Sequence, residues 1–578
     1  MLASIKGATG QVIKVHPQPT TGQVIKVQSP PTAEQAHPEA PNAITCKVND
    51  VAVAEVAPRD CATALHVCCH GLVSVMAGQY YGWNAALATG FVPYVASQLV
   101  MSVTYVIYMS CAAEICGKIA FSGGTYGLSR VTLGYYCGYM VGFLELLEYT
   151  ASTAVSVLFI GELFTSDLGW DKRFEPLIWL ACYASFVAFY SLPGRIMWNA
   201  SIGFALLCYA PAVLYIFGSL KFANLRQFGY LLDPVDNTTH VWASGDISSA
   251  YFAWLPYTTW AFAGIECLSL VTDMTVQPKT TIPRGILGAV ALLFLSNVGM
   301  VCLVPSLPPG IAAATTVMYP LNNGLAMAYG ISEGVGTWLL LPAHMGMAAG
   351  FVLPCGRLIQ ALADSTLLPP WLGLKNLGHR GLTRAMILSC GFGYVLCILS
   401  YFSQDFCSAL QNMFLLVGSL CYGAQLLGFI LLRTTYKAES NGFKAPFGLT
   451  GAVFAMVVYS LLAISIIGGF QNDHGTAGLA ALGYCLLLTG YYYYACKDRQ
   501  TISKDEYASI FRFTIIKFNN LKRKAARRVQ RKPRFWHKVV SMLRSSTLLS
   551  TNRVSYINVG VRQGSAPRRP APPYPATR

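Results

Sequence analysis

The feature that most constrains this chain is the recurrence, from Cys61 to Cys496, of apolar windows about 20 residues long, the length that crosses a bilayer core. They run approximately over 62–84, 90–113, 132–163, 174–192, 198–219, 249–272, 285–306, 336–363, 384–403, 408–432, 448–470 and 476–496. Hydrocarbon offers no water to bond the backbone, so such runs form helices that satisfy their own amides and carbonyls. An all-α integral membrane domain of about 12 transmembrane helices is the expectation. Composition agrees: 54% of the residues are hydrophobic and 11% charged, where an ordinary soluble protein carries roughly 25% charged.

An even number of spans puts both chain ends on one side, and the bias of Lys and Arg says which. One set of loops holds Lys118, Arg130, Arg195, Lys279, Arg284, Lys375, Arg380, Arg384, Arg433, Lys437 and Lys444. The opposite set is poorer, and its Lys172, Arg173, Lys221 and Arg226 are accompanied by Asp167, Asp171, Asp233 and Asp236. Both tails are therefore expected to be cytosolic, with the plasma membrane as the default location. Asn237-Thr238-Thr239 is an N-glycosylation sequon in the longest loop of the opposite side, which makes Asn237 a candidate modification site.

Three regions follow. Residues 1–61 form a Pro-, Thr- and Gln-rich tail, expected to be disordered, in which Thr9 to Val15 recurs identically as Thr21 to Val27. Residues 62–496 form the twelve-helix domain, and 497–578 form a basic tail. In that tail Phe511 to Leu543 interleaves Lys517, Lys522, Arg523, Lys524, Arg527 and Arg528 with Phe513, Phe518, Phe535 and Trp536. The pattern predicts a basic amphipathic helix on a membrane surface, with anionic lipids as its partners. Farther on, Arg569 to Pro575 has the composition of a polyproline ligand.

The formal net charge of +16 comes without any nucleic-acid-binding signature, so no nucleic-acid partner is expected. Most of the 18 cysteines fall inside apolar windows as small hydrophobes, and neither a disulfide framework nor a metal spacing emerges. No P-loop, dinucleotide fingerprint, G-x-S-x-G or H-E-x-x-H occurs. No enzyme activity, metal or cofactor is expected.

Interrupted spans are tolerated in a bilayer only where they line a cavity or are buried in protein, so glycine breaks point to a transport site. The first span holds Met76 to Asn84, with Gly78, Gln79 and Tyr80, and the sixth holds Trp260 to Glu266, with Ala263 and Gly264. Each pairs a small-residue break with aromatic rings, which would expose backbone amides and carbonyls and cup an ammonium by cation-π attraction. Close helix packing by glycine is the equal alternative from spacing alone. Among the acids in or at the ends of apolar spans, the candidates are Glu114, Glu145, Glu148 and Glu266. Glu145 and Glu148 stand three apart on one helix face, where two like charges in a dry site suit a proton acceptor or the counter-ion of a cationic substrate. Asp273, at the end of span six, reads as a gate or helix-end group.

Several stretches are recognisable in order. They are Gly78-Gln79-Tyr80-Tyr81-Gly82-Trp83-Asn84; Ala113-Glu114 followed by Ser122-Gly123-Gly124-Thr125-Tyr126-Gly127-Leu128-Ser129-Arg130; and Leu144-Glu145-Leu146-Leu147-Glu148-Tyr149. They continue with Gln277-Pro278-Lys279-Thr280-Thr281-Ile282-Pro283-Arg284-Gly285, with Gly356-Arg357-Leu358 through Leu368-Pro369, and with Arg433 followed by Phe443 to Gly448. On these the chain resembles the amino acid-polyamine-organocation superfamily, and within it the ethanolamine permease branch, over approximately residues 62 to 496. The resemblance implies a five-plus-five inverted repeat with broken helices 1 and 6 and substrate held between them near mid-membrane. It also implies secondary active transport of amino acids or small amines by alternating access, coupled to protons or another ion. Three features depart from the superfamily: Gly78-Gln79-Tyr80 replaces a Gly-Ser-Gly or Gly-Thr-Gly type break, Asn199 to Phe217 lacks the lysine that some relatives use for proton coupling, and Gln277 stands where Asn is usual. A non-transporting nutrient sensor with signalling tails is the reading from another class.

Overall fold

A computed structural model describes residues 47–48, 60–119, 123–233, 238–373, 379–436, 442–471, 473 and 475–530. Asn237, most of the N-terminal tail with its duplicated peptide, and everything after Gln530 lie outside the described residues.

The helices follow the apolar windows. In chain order they are α1 (Ala64–Val75), α2 (Phe91–Lys118), α3 (Gly124–Leu133), α4 (Tyr135–Leu168), α5 (Glu175–Tyr190) and α6 (Gly194–Ser219). Next come α7 (Leu225–Phe228), α8 (Ile247–Trp254), α9 (Pro278–Leu303), α10 (Ile311–Ala314), α11 (Leu321–Tyr329), α12 (Glu333–Gly350) and α13 (Val352–Asp364). The last are α14 (His379–Phe402), α15 (Gln404–Leu431), α16 (Gly448–Ile467), α17 (Thr476–Tyr491) and α18 (Lys504–Gln530). Among the described residues eight helical stretches are long and apolar enough to cross a membrane. The first, fourth, sixth and twelfth windows are helical too, but as shorter or interrupted pieces. The fold is an all-α membrane bundle.

Helix starts have local causes. Thr63 and His66 form a reciprocal cap on α1, Ser332 caps α12 and Ser403 caps α15. Within spans, hydroxyls return to their own helix, as Ser102 does to the Gln98 carbonyl (2.6 Å) and Ser110 to that of Val106 (2.7 Å). That habit lets polar side chains sit in an apolar bundle without an unmet hydrogen bond.

The two flanks of the bundle meet. Strand β1 (Lys47–Val48) pairs in parallel with β4 (Thr501–Ile502), while β2 (Leu231–Leu232) and β3 (His240–Val241) form a small hairpin in a loop. The first pairing joins residues that precede the bundle in the chain to residues that follow it. On the same strand-bearing side, Thr501 donates its amide to the Ser365 carbonyl just beyond α13 (3.1 Å).

Charged groups are gathered at helix ends. Glu114, near the end of α2, accepts from Arg433 beyond α15 through both carboxylate oxygens, from Lys118 (2.6 Å) and from the Ala445 amide (2.7 Å). Truncating one member of so enclosed an ion pair strands the other charge, at about 3 kcal/mol. Glu114→Ala should therefore lower the thermal unfolding midpoint of the purified protein clearly. Arg173→Ala, which removes an exposed pair with Asp171 at 3.8 Å, should leave the midpoint almost unchanged.

Candidate functional site

The first and sixth segments meet at several levels. Ala62, before α1, exchanges backbone bonds with the end of the sixth segment: its amide reaches Met274 (2.7 Å) and its carbonyl accepts from Val276 (3.1 Å). Farther along, Gly71 faces Leu268, and both segments then leave the α-helical path. The first tightens into a 3-10 turn over Met76–Gln79. The sixth is broken into α8 and the 3-10 turns Tyr257–Ala261 and Ile265–Met274, with Gly264 between them in the left-handed conformation (φ 103°).

The breaks cross at Gly78, where a Cβ would lie 1.9 Å from the Trp260 carbonyl oxygen, so only glycine allows this approach. Gln79 ties the crossing together. Its Nε2 donates to the carbonyls of Ala261 (3.1 Å) and Leu293 (2.9 Å), its Oε1 accepts from Ser296 (2.6 Å), and Trp83 Nε1 donates to its backbone carbonyl (2.9 Å). Tyr80 turns the other way. Its hydroxyl donates to the Cys208 carbonyl (2.6 Å) and accepts from the Ala212 amide (3.1 Å), bridging one i, i+4 pair of α6 beside Pro211.

A cavity of about 280 Å³ opens at the start of the sixth segment, lined by Tyr81, Gly82, Phe159, Trp254, Tyr257, Trp260 and Gln411 among others, none of them charged. Its walls are aromatic: the Trp260 ring lies 6.3 Å from Tyr81, 6.4 Å from Phe159 and 6.2 Å from Tyr257. Behind Tyr81, His344 stacks at 4.4 Å. An electron-rich lining of this kind attracts an organic ammonium, and the unpartnered Tyr81 hydroxyl and Trp260 Nε1 offer hydrogen bonds to a polar solute.

On the other side of the break lies a cluster of buried acids. Both carboxylate oxygens of Glu266 accept from the Gly264 amide at 3.1 Å. The Tyr422 hydroxyl joins Glu266 (3.3 Å) to Glu148, and Tyr149 donates to Glu145 (2.8 Å). One oxygen each of Glu145 and Glu148 is buried without a hydrogen bond. Phe351 closes the wall, stacked on Tyr149 at 5.5 Å and filling the space where a Gly264 side chain would go. Three buried carboxyl groups so arranged demand balancing protons or a bound cation.

At the far end of the sixth segment Asp273 pairs with Arg357 of α13, which also bonds Gln360 (3.0 Å). The space around that ion pair, bordered by Gly123 and Asp364, is only about 10 Å³. One end of the crossing therefore holds an open aromatic cavity and the other a closed, charge-paired one.

Of the residues singled out from the sequence, Trp260 lines the cavity, Gly78 and Gly264 make the crossing, and Ala263 is half-buried beside them. Gln79 and Tyr80 are buried with their polar atoms bonded within the protein. Glu145, Glu148 and Glu266 come together, whereas Glu114 sits apart with Arg433. Tyr81, Phe159, Tyr257, His344, Phe351 and Tyr422 were missed. Only Tyr81, adjacent to the first break, carried a sequence signal.

Residues 69–506, most of the chain, match the profile of the amino acid permease family. The chain belongs to that family. It is 21% identical over 428 residues to an uncharacterized transporter of Rhizobium meliloti, covering 71% of this chain and 87% of the relative. It is 20% identical over 471 residues to the amino-acid permease RocC of Bacillus subtilis, covering 75% and 96%. Over 263 residues it is 22% identical to the Asc-type amino acid transporter 1 of Mus musculus, covering 44% and 45%. This amino acid permease is thus an integral, multi-pass membrane protein of a transporter family.

A non-glycine residue at a left-handed position costs about 1–3 kcal/mol before any clash. Gly264→Ala should therefore lower the unfolding midpoint markedly. Adding Phe351→Ala should not restore it, because the room it makes leaves the backbone unrelieved and forfeits the ring's buried stacking on Tyr149. Full recovery in the double variant would show that the backbone conformation carries no cost.

Proposed function

We propose that this permease is a secondary active transporter moving amino acids or small amines such as ethanolamine by alternating access, coupled to a proton or another ion. The observation that carries the reading is the crossing of the two broken segments between an uncharged aromatic cavity and a buried carboxylate cluster. A cationic amine entering past Trp260 meets the electron-rich ring faces first. Backbone groups freed by the breaks and the nearby carboxyl groups then offer hydrogen bonds and charge.

In this reading Gly78, Ala263, Gly264 and Trp260 bound the substrate, while Gln79 and Tyr80 hold the first segment in its broken form. Glu145, Glu148 and Glu266 exchange protons or balance a cation, and the Asp273–Arg357 pair is the gate at the closed end. Opening that end separates Asp273 from α13 as the cavity end closes. The Lys and Arg bias assigns both tails to the cytosol, and the plasma membrane is the assigned location.

The test is uptake of labelled ethanolamine and a panel of amino acids into proteoliposomes, with and without an inward proton gradient, for wild type and Glu148→Gln. Wild type should show saturable uptake stimulated by the gradient. Glu148→Gln cannot release a proton and should lose the stimulation. Binding without flux of any panel member by folded, correctly oriented protein would overturn the proposal in favour of a sensor.

A further inference from the structure

Helix α18 is fixed to the bundle at its start and again at Asn520, ten residues before its end. At its start Glu506 forms a buried ion pair with Arg130 of α3, and Arg130 also donates to the Tyr126 hydroxyl (2.6 Å) and the Thr501 carbonyl (3.1 Å). Ser503 and Glu506 cap the helix reciprocally, each side chain accepting from the other's amide at 3.2 Å and 2.9 Å. Farther along, Asn520 donates to the Thr435 carbonyl (2.9 Å), and Phe513, nearly fully buried, packs against Tyr436 at 5.1 Å.

Thr435 and Tyr436 end the membrane-crossing stretch Gln404–Tyr436. The helix is therefore held at the level where hydrocarbon gives way to headgroups. Its docked face carries Glu506, Ile510, Phe513 and Asn520. A second face carries Tyr507, Phe511, Ile515, Phe518 and Leu521, between 44% and 66% exposed, spaced four, four, three and three apart as one stripe of an α-helix. Arg512, Lys517, Lys522 and Arg523 are exposed around it, and no acidic residue occurs from Tyr507 to Arg523. An apolar stripe left unpaired costs free energy in water, and a cationic helix at headgroup level is complementary to an anionic leaflet.

We propose that this stripe is a docking surface for an anionic lipid bilayer, with the aromatic and aliphatic side chains inserted at the acyl boundary and the four cations on lipid headgroup anions. Arg130–Glu506 and Asn520–Thr435 set the rotation of the helix so that the stripe faces the lipid. The inference concerns the membrane contact alone and stands apart from the transport reading.

The test is hydrogen–deuterium exchange of the full chain in nanodiscs of phosphatidylcholine alone and of phosphatidylcholine mixed with phosphatidylserine. Amides from Tyr507 to Arg523 should exchange about tenfold more slowly in the anionic discs, and high salt should shrink the difference. Phe511→Ser with Phe518→Ser should abolish the difference while exchange in α4 stays unchanged, which controls for folding. As a second variant, Lys517→Gln with Lys522→Gln should reduce the difference and leave the apolar stripe intact. Equal exchange in both discs would overturn the proposal. So would protection that rises with protein concentration and not with lipid charge, which would assign the stripe to a second copy of the chain.

Discussion

The arrangement of the site depends on one close approach, that of the Gly78 backbone to the Trp260 carbonyl. Two helices packed through side chains stand 8–10 Å apart at their axes, and no side chain fits where these segments cross. At this crossing both segments leave the regular α-helical ladder, and the freed groups need partners. Gln79 supplies one at Ala261 on the sixth segment and, from the same side chain, ties the crossing to Leu293 on α9. The break is thus a hydrogen-bonded structure of its own, and the aromatic cavity on one side and the acid cluster on the other are consequences of where it lies.

The same accounting runs through the rest of the bundle. Charges that the windows could not absorb are paired at helix ends, as in Glu114 with Arg433, Asp273 with Arg357 and Arg130 with Glu506. Among the described residues, the buried trio Glu145, Glu148 and Glu266 is bonded to tyrosines and one backbone amide and to no basic side chain. In the proposed reading those carboxyl groups balance a mobile cation or exchange protons.

Much of this was legible in the residues. The twelve apolar windows all contain helix, and the glycine breaks of spans one and six meet, because bilayer length and glycine chemistry are both local properties. The second window stops at residue 113, but its helix runs on through Glu114 to Lys118, since Arg433 and Lys118 neutralise the carboxylate that seemed to end it. Which way Gln79 and Tyr80 turn was not legible: the 3.6-residue period of an α-helix does not hold where the segment tightens to three residues per turn and then ends at Tyr80. Nor was the joining of Arg130 to Glu506, 376 residues apart, or the placing of Phe351 against Gly264, since both arise only when distant spans pack.

The central claim is that the cavity at this crossing is where solute is held. The most direct test is the uptake kinetics of Trp260→Ala against wild type in proteoliposomes, each normalised to folded protein, with the exposed Trp371→Ala as control. Loss of a cation-π wall of this size predicts uptake efficiency lower by about tenfold, with the control unchanged. Wild-type kinetics in Trp260→Ala would contradict the claim and move the solute path away from the crossing.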